Sequence, residues 1–281
     1  LLRHGNLVAS ESQFALNGRE FVQAPNAVPV DQYPHSFSDD LTGCVTICDK
    51  PYLDLHGKVP AGMYQIVFDS YYKDDADDLT SLFDITVLKQ DNPFDNSMVG
   101  VPVAWFTGRP KSLKRCHEIL FFMARYYNCT VQGEISGGGQ SVVDYAKQHK
   151  LLHMVEYEPE MLHNKEVASN QKNRSYLMNM TADRKKLGMT YFEDLHMEQR
   201  GIDGDGNPVY WIHRCYKLGL LREMKAGGIR NSDRMSSMII GVFMLKENIT
   251  KKINYRKQVN SFYDRTLYSS TEETGEYTTA Y

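Results

Sequence analysis

Three carboxylates are spaced so that they could serve together as ligands for divalent cations. Asp69 ends the apolar run Gly62-Met-Tyr-Gln-Ile-Val-Phe-Asp69, and Glu134 ends Cys129-Thr-Val-Gln-Gly-Glu134. Asp233 follows Asn231 and Ser232 and opens a third apolar stretch. If the first two runs are adjacent parallel strands, their acids stand side by side about 5 Å apart. Hydrolysis of a phosphodiester needs one group to activate water and another to absorb charge on the leaving oxygen. Two divalent ions about 4 Å apart do both when clustered carboxylates hold them. An all-oxygen ligand set of this kind suits Mg²⁺ or Mn²⁺. Structural roles compete with this reading: Asp69 as a turn residue bonding backbone amides, Asp233 as a helix cap or first-turn acid. Glu134 has less structural purpose, standing at a strand end just ahead of Gly137-Gly138-Gly139.

The elements that must position these acids follow from hydrophobic periodicity. The run over 62–69 has the continuous apolar character of a central strand buried on both faces. Ser81-Leu-Phe-Asp-Ile-Thr-Val-Leu-Lys89 alternates like a half-buried strand, and Val101-Pro-Val-Ala-Trp-Phe106 reads as a third. Leu113, Cys116, Ile119, Leu120, Met123 and Tyr127 have helical spacing, which predicts a crossover helix over 112–127. The run ending at Glu134 then becomes a fourth strand parallel to the first. A helix over 140–149 and a short fifth strand over 152–156 follow. Three strands, helix, strand, helix, strand is the RNase H-like order, so the expected fold class is α/β, with a central mixed sheet flanked by helices. Further helices are expected over about 189–199, 212–225 and 233–249. The chain divides into an extended arm over 1–58 with short strands, a domain over 59–253 carrying a loop or hairpin insertion at 159–188, and a C-terminal extension over 254–281 that lacks core formers.

Composition narrows the function classes. With 42% hydrophobic and 24% charged residues, the chain can bury a real core. Its longest apolar stretch, Met235 to Leu245, is far shorter than the roughly 18 residues that a membrane span requires. The first residues, Leu-Leu-Arg-His, are those expected of a fragment of a longer protein. Five cysteines without a framework spacing fit a reducing compartment, and Cys44 and Cys48 lack the second pair that a zinc site needs. The net charge of −3 conceals a basic cluster of Lys165, Lys172, Arg174, Arg184, Lys185 and Lys186. Lying between the second and third acids, that cluster is expected to grip DNA phosphates, although a solvated surface has the same composition.

Other motifs carry less. No G-x-x-x-x-G-K-[ST] phosphate loop occurs, so the chain holds no Walker-type ATPase. Asp203-Gly-Asp205-Gly-Asn207 opens like a calcium loop, but Pro208 and Arg214 occupy the positions of its glycine and glutamate, and a surface turn is expected. The stripe of Met235, Met238, Ile239, Val242 and Leu245 is core.

The segments Tyr64-Gln-Ile-Val-Phe-Asp69-Ser-Tyr-Tyr, Val131-Gln-Gly-Glu134-Ile-Ser-Gly-Gly-Gly-Gln and Asn231-Ser-Asp233-Arg-Met-Ser-Ser together resemble the C-terminal nuclease domain of phage large terminases. They are most similar in detail to those of crAss-like phages, over about residues 40 to 250. The resemblance implies a metal-dependent endonuclease that cuts double-stranded DNA with little sequence preference during viral genome packaging. It assigns catalysis and two divalent ions, Mg²⁺ or Mn²⁺, to Asp69, Glu134 and Asp233, with Asp69 and Asp233 bridging or flanking the ions and Glu134 orienting water. It also implies partners, namely the portal protein, the small terminase and an ATPase domain that residues 1–58 would join, and a place in the host bacterial cytoplasm. Lys172, Arg174, Lys185, Lys186 and Arg234 are the expected DNA contacts. Two positions depart from the family pattern. Ser70 stands where many relatives have proline, and Arg234 stands where many have a further acid. Arginine cannot ligate a cation and would instead hold a phosphate; the acidic loop Asp74, Asp75, Asp77 and Asp78 is a candidate replacement. Two alternatives remain open: another RNase H-like enzyme of transposase or resolvase type, and a non-catalytic module that docks on the portal.

Overall fold

The computed structural model describes residues 12–17, 20–35, 40–72, 81–90, 98–162, 175–227 and 232–248. The N-terminal segment contributes β1 (Ser12–Asn17), β2 (Glu20–Gln23) and β3 (Val45–Ile47). The expected meander is β4 (Tyr64–Asp69), β5 (Phe83–Lys89) and β6 (Pro102–Gly108). Helix α1 (Leu113–Tyr126) crosses to β7 (Val131–Gly133), and α2 (Gly139–Gln148) follows. The sheet order is β2-β1-β3-β6-β5-β4-β7, antiparallel throughout except where β7 runs parallel to β4. The segment β6-β5-β4-β7, an antiparallel meander joined through a helix to a parallel fourth strand, is the RNase H-like arrangement. The stretch expected as an arm thus supplies three further strands, with β3 pairing onto β6 and the β1–β2 hairpin extending the same sheet.

Every residue of β6, and all but the last of β4 and β5, is buried. Helices cover both faces, so these strands carry apolar side chains on both sides where a one-faced sheet would alternate. Tyr64, Ile66 and Phe68 of β4 join the core beneath α1 and α2, whereas Val67 points into a second core. That second core is built with α3 (Ala182–His196), α4 (Leu218–Lys225) and the helical residues 233–248, termed α5. Helix α5 lies so close to the sheet that a Cβ on Gly241 would come 2.6 Å from a methyl of Leu88.

Three expectations change. The fifth strand over 152–156 is a 3₁₀ turn at Leu152–Met154 followed by one parallel bridge from Val155 to Val131. Helix α3 begins inside the expected insertion, capped by Thr181, whose hydroxyl accepts the Arg184 amide. Only Gly188 and Phe192 of this helix are buried, so it carries almost no apolar stripe to reveal it. The helix expected over 212–225 is a 3₁₀ turn at Trp211–Arg214 and then α4, separated by Cys215 to Lys217. The calcium-loop look-alike is the turn of a hairpin between β8 (Gln199–Ile202) and β9 (Pro208–Tyr210), where Asp203 accepts the amides of Asp205 and Asn207. Among the described residues no helix is long and apolar enough to cross a membrane.

Candidate active site

Strand register explains why two of the acids come together. β4 and β7 pair Ile66 with Val131 and Phe68 with Gly133, and one further step of that register sets Glu134 beside Asp69. Side chains alternate along a strand, so Asp69 shares the α5-facing side with Val67. The turn after Glu134 is drawn by its glycines against Ser70 and Tyr71, which follow β4. A Cβ on Gly139 would lie 1.9 Å from the Glu134 carbonyl oxygen, and one on Gly138 would lie 2.0 Å from that of Tyr71. No other residue type lets the backbone pass there.

Asp233 is the first residue of α5 and is 7% exposed. Its Oδ2 accepts the Leu82 amide at 2.8 Å at the entrance to β5, and the Ser81 hydroxyl stands 3.5 Å from Oδ1. Burial pushes its carboxyl up to about 7 despite that hydrogen bond. Asp69 is raised well above the usual carboxylate range, first by burial and then by repulsion from Asp233 and Glu134. Among the described residues its carboxylate accepts no hydrogen bond and forms no ion pair, and the hydroxyl of the adjacent Ser70 is buried without a partner. Glu134 accepts a short hydrogen bond from Ser136 at Oε1 and pairs with Lys185 Nζ at 2.9 Å from Oε2.

An open carboxylate pressed by two others calls for positive charge, and the donors are hard oxygens, so the set fits a divalent cation in its chemistry. Among the described residues, however, no three acidic, histidine or cysteine side chains already form a cage for an ion. Glu134 is held by Lys185 and Ser136, and Asp233 is held at the start of β5.

The expected DNA contacts divide. Lys172 and Arg174 lie outside the described residues, as do Asp74, Asp75, Asp77 and Asp78. Lys186 is exposed. Lys185 is half exposed but engaged with Glu134. Arg184 does not face solvent as a free cation; it pairs with Glu158 and donates to the carbonyls of Asn179 and Leu162. The expectation for Arg234 is corrected. It is 1% exposed, pairs with Glu223 at 2.7 Å and donates to the Val30 carbonyl, so it cannot meet a phosphate. Glu223 also accepts the Met235 amide at 2.9 Å, so the pair fixes the first turn of α5 beside Asp233.

Sequence reasoning missed a buried polar group next to this site. Asp84 is the cross-strand partner of Asp69, and both it and Lys217 are fully buried. Lys217 Nζ lies 2.6 and 2.7 Å from the two Asp84 oxygens, which also accept from Thr86, Thr107 and Ser237 of α5. Burial alone would raise the Asp84 carboxyl; the ammonium and these hydrogen bonds outweigh it and hold the carboxyl below its ordinary value. The available signal was Asp84 and Thr86 alternating with apolar residues in a strand whose second face also proved to be covered. Arg109 was missed too: it donates to the Ser81 carbonyl at 2.7 Å and lies over the Tyr71 ring.

No family model matches the chain, and no curated protein matches it. Among solved structures, it is similar to the large terminase nuclease from thermophilic phage G20c with bound magnesium, with a TM-score of 0.38 and 12% identity. The match covers 74% of this chain and 89% of that one.

Proposed function

We propose that the chain is a metal-dependent nuclease that cuts double-stranded DNA by two-metal phosphodiester hydrolysis during viral genome packaging, with little sequence preference. What supports this reading is the β4–β7 register, which sets Glu134 beside Asp69, together with the charge of Asp233 and Glu134 acting on Asp69 from two further elements. Among the described residues Asp69 has no hydrogen-bond or ion-pair partner, and it is repelled by the other two. Evenly solvated surface acids would not be driven up in this way. The packaging context and the indifference to sequence rest on the resemblance in the three acid-bearing segments, including its likeness to crAss-like phages.

Asp69, Glu134 and Asp233 would hold Mg²⁺ or Mn²⁺. Bound there, the ions would supply an activated water and neutralise charge on the leaving oxygen. The protein's own contribution is placement. The glycine turn packs closely on the Glu134 carbonyl and on Ser70 and Tyr71, the Leu82 amide orients Asp233, and Ser136 orients one oxygen of Glu134. Lys185 and Lys186 on α3 offer cationic groups for the DNA backbone.

The test is nicking of supercoiled plasmid by the full chain in EDTA, Mg²⁺ or Mn²⁺, beside Asp69→Asn and Glu134→Gln variants shown to be folded. Metal-dependent nicking lost in both variants supports the proposal. Absence of cleavage under every metal, from folded protein that still binds duplex DNA or portal protein, would replace it with the docking module. Preferential cutting of four-way junctions over linear and plasmid DNA would replace it with a resolvase.

A further inference from the structure

The ion pair between Lys185 and Glu134 puts an ammonium group where a metal-loaded site needs its ligand free. Nζ lies 2.9 Å from Oε2 of Glu134, and Ser136 takes Oε1, so both oxygens of the acid are engaged. The same ammonium acts on Asp69, where its field opposes the repulsion from the other acids. Lys185 is therefore a counter-charge to both Glu134 and Asp69.

Its backbone and side chain differ in freedom. The Lys185 amide donates to the Thr181 carbonyl at 2.9 Å in the first turn of α3. Three residues on, a Cβ at Gly188 would lie 2.5 Å from Ile239 and 2.7 Å from Phe243, so α3 is packed hard onto α5. The lysine side chain is 50% exposed on a flexible four-carbon stem. It can leave Glu134 without any movement of its helix. Because the lysine end of the pair is half exposed to solvent, a stronger anion can compete for the ammonium.

Resting on the nuclease reading above, we propose that Lys185 couples metal loading to DNA binding. In the DNA-free protein its ammonium stands in for the cation on Glu134. When a duplex arrives, a backbone phosphate takes the ammonium and Glu134 is released to ligate the metal. Coupling of this kind is reciprocal, so metal and DNA each tighten the binding of the other, and the part carried by Lys185 disappears with its charge.

The experiment measures Ca²⁺ affinity by titration calorimetry on the full chain, with and without a short duplex, and checks by gel that the duplex stays intact. Wild type is compared with Lys185→Met, which keeps the apolar stem, and Lys185→Arg, which keeps the charge. Equal thermal midpoints in EDTA confirm that all three are folded. Without DNA, Lys185→Met binds Ca²⁺ about 2–5-fold tighter than wild type, as loss of a weak competing ion pair requires. The gain in Ca²⁺ affinity on adding the duplex is smaller in Lys185→Met by the same factor, and Lys185→Arg follows wild type. Unchanged or weaker Ca²⁺ binding by Lys185→Met, or an equal duplex effect in the two proteins, overturns the role of Lys185 and leaves the nuclease reading standing. Absence of Ca²⁺ binding by every variant, together with absence of plasmid nicking in Mn²⁺, overturns the metal site itself and this inference with it.

Discussion

Replacing Asp233 with asparagine separates the cost of the site from its use. The Asp233 carboxyl is buried, and its pKa rises from an ordinary 3.8 to about 7. A shift of roughly 3 units at 1.36 kcal/mol each means that ionised Asp233 destabilises the metal-free fold by about 4 kcal/mol. Because the folded-state pKa is raised, the folded protein retains a proton that the unfolded chain has already released. Stability is therefore full below about pH 4 and declines as pH rises towards about 7. Asparagine mimics the protonated acid and can still accept the Leu82 amide. In EDTA, Asp233→Asn should thus lie within about 1 kcal/mol of wild type near pH 4.5 and exceed it by about 2–4 kcal/mol at pH 8, or about 5–10 °C in melting temperature. Mg²⁺ should stabilise wild type at pH 8 far more than the variant, and nicking activity should vanish in the variant. Urea denaturation at three pH values, with and without metal, measures all of this. A variant less stable than wild type at pH 8, or a difference that does not change with pH, would refute the claim that Asp233 is a buried acid awaiting a cation.

The neighbouring network gives further tests. Lys217→Met strands the Asp84 carboxylate in the core and should cost about 3–5 kcal/mol by urea denaturation, while adding Asp84→Val should recover most of the loss. Arg234→Lys cannot serve both Glu223 and the Val30 carbonyl, so it should lose about 1–3 kcal/mol of stability and weaken Mn²⁺ binding measured by calorimetry. In Gly139→Ala the new methyl meets the Glu134 carbonyl oxygen, and the turn must shift. A loss of about 2 kcal/mol or more in thermal stability is expected, with a parallel fall in plasmid nicking. Retention of wild-type nicking by Gly139→Ala would show that the position of Glu134 does not depend on the close approach of that turn.

Local pattern made much of this molecule legible in the sequence. The strands at 64–69 and 102–108 announced themselves because burial on both faces leaves nearly continuous apolar runs, that at 83–89 did so by its alternation, and α1 did so because its buried residues recur at helical spacing. The acids Asp69 and Glu134 stood out because each ends such a run. A solvent-exposed helix carries no comparable signal, which is why the start of α3 at Ala182 was hidden.

Only the tertiary structure decided what each charge faces. Asp84 and Lys217 are 133 positions apart, and nothing local to either predicts a fully buried ion pair. Arg234 was expected at a phosphate because its type permits it; the crossing of residues 30–33 over the start of α5 turned it inward onto Val30 and Glu223. Lys185 was expected on DNA, and the packing of α3 against α5 brought it to Glu134. Residue type and periodicity determine which segments become strands or helices, because those choices depend on neighbours a few positions away. The partner of a long charged side chain depends instead on which surfaces meet after the chain has folded, and a charge reads the same in the sequence whether water, a carboxylate or a carbonyl awaits it.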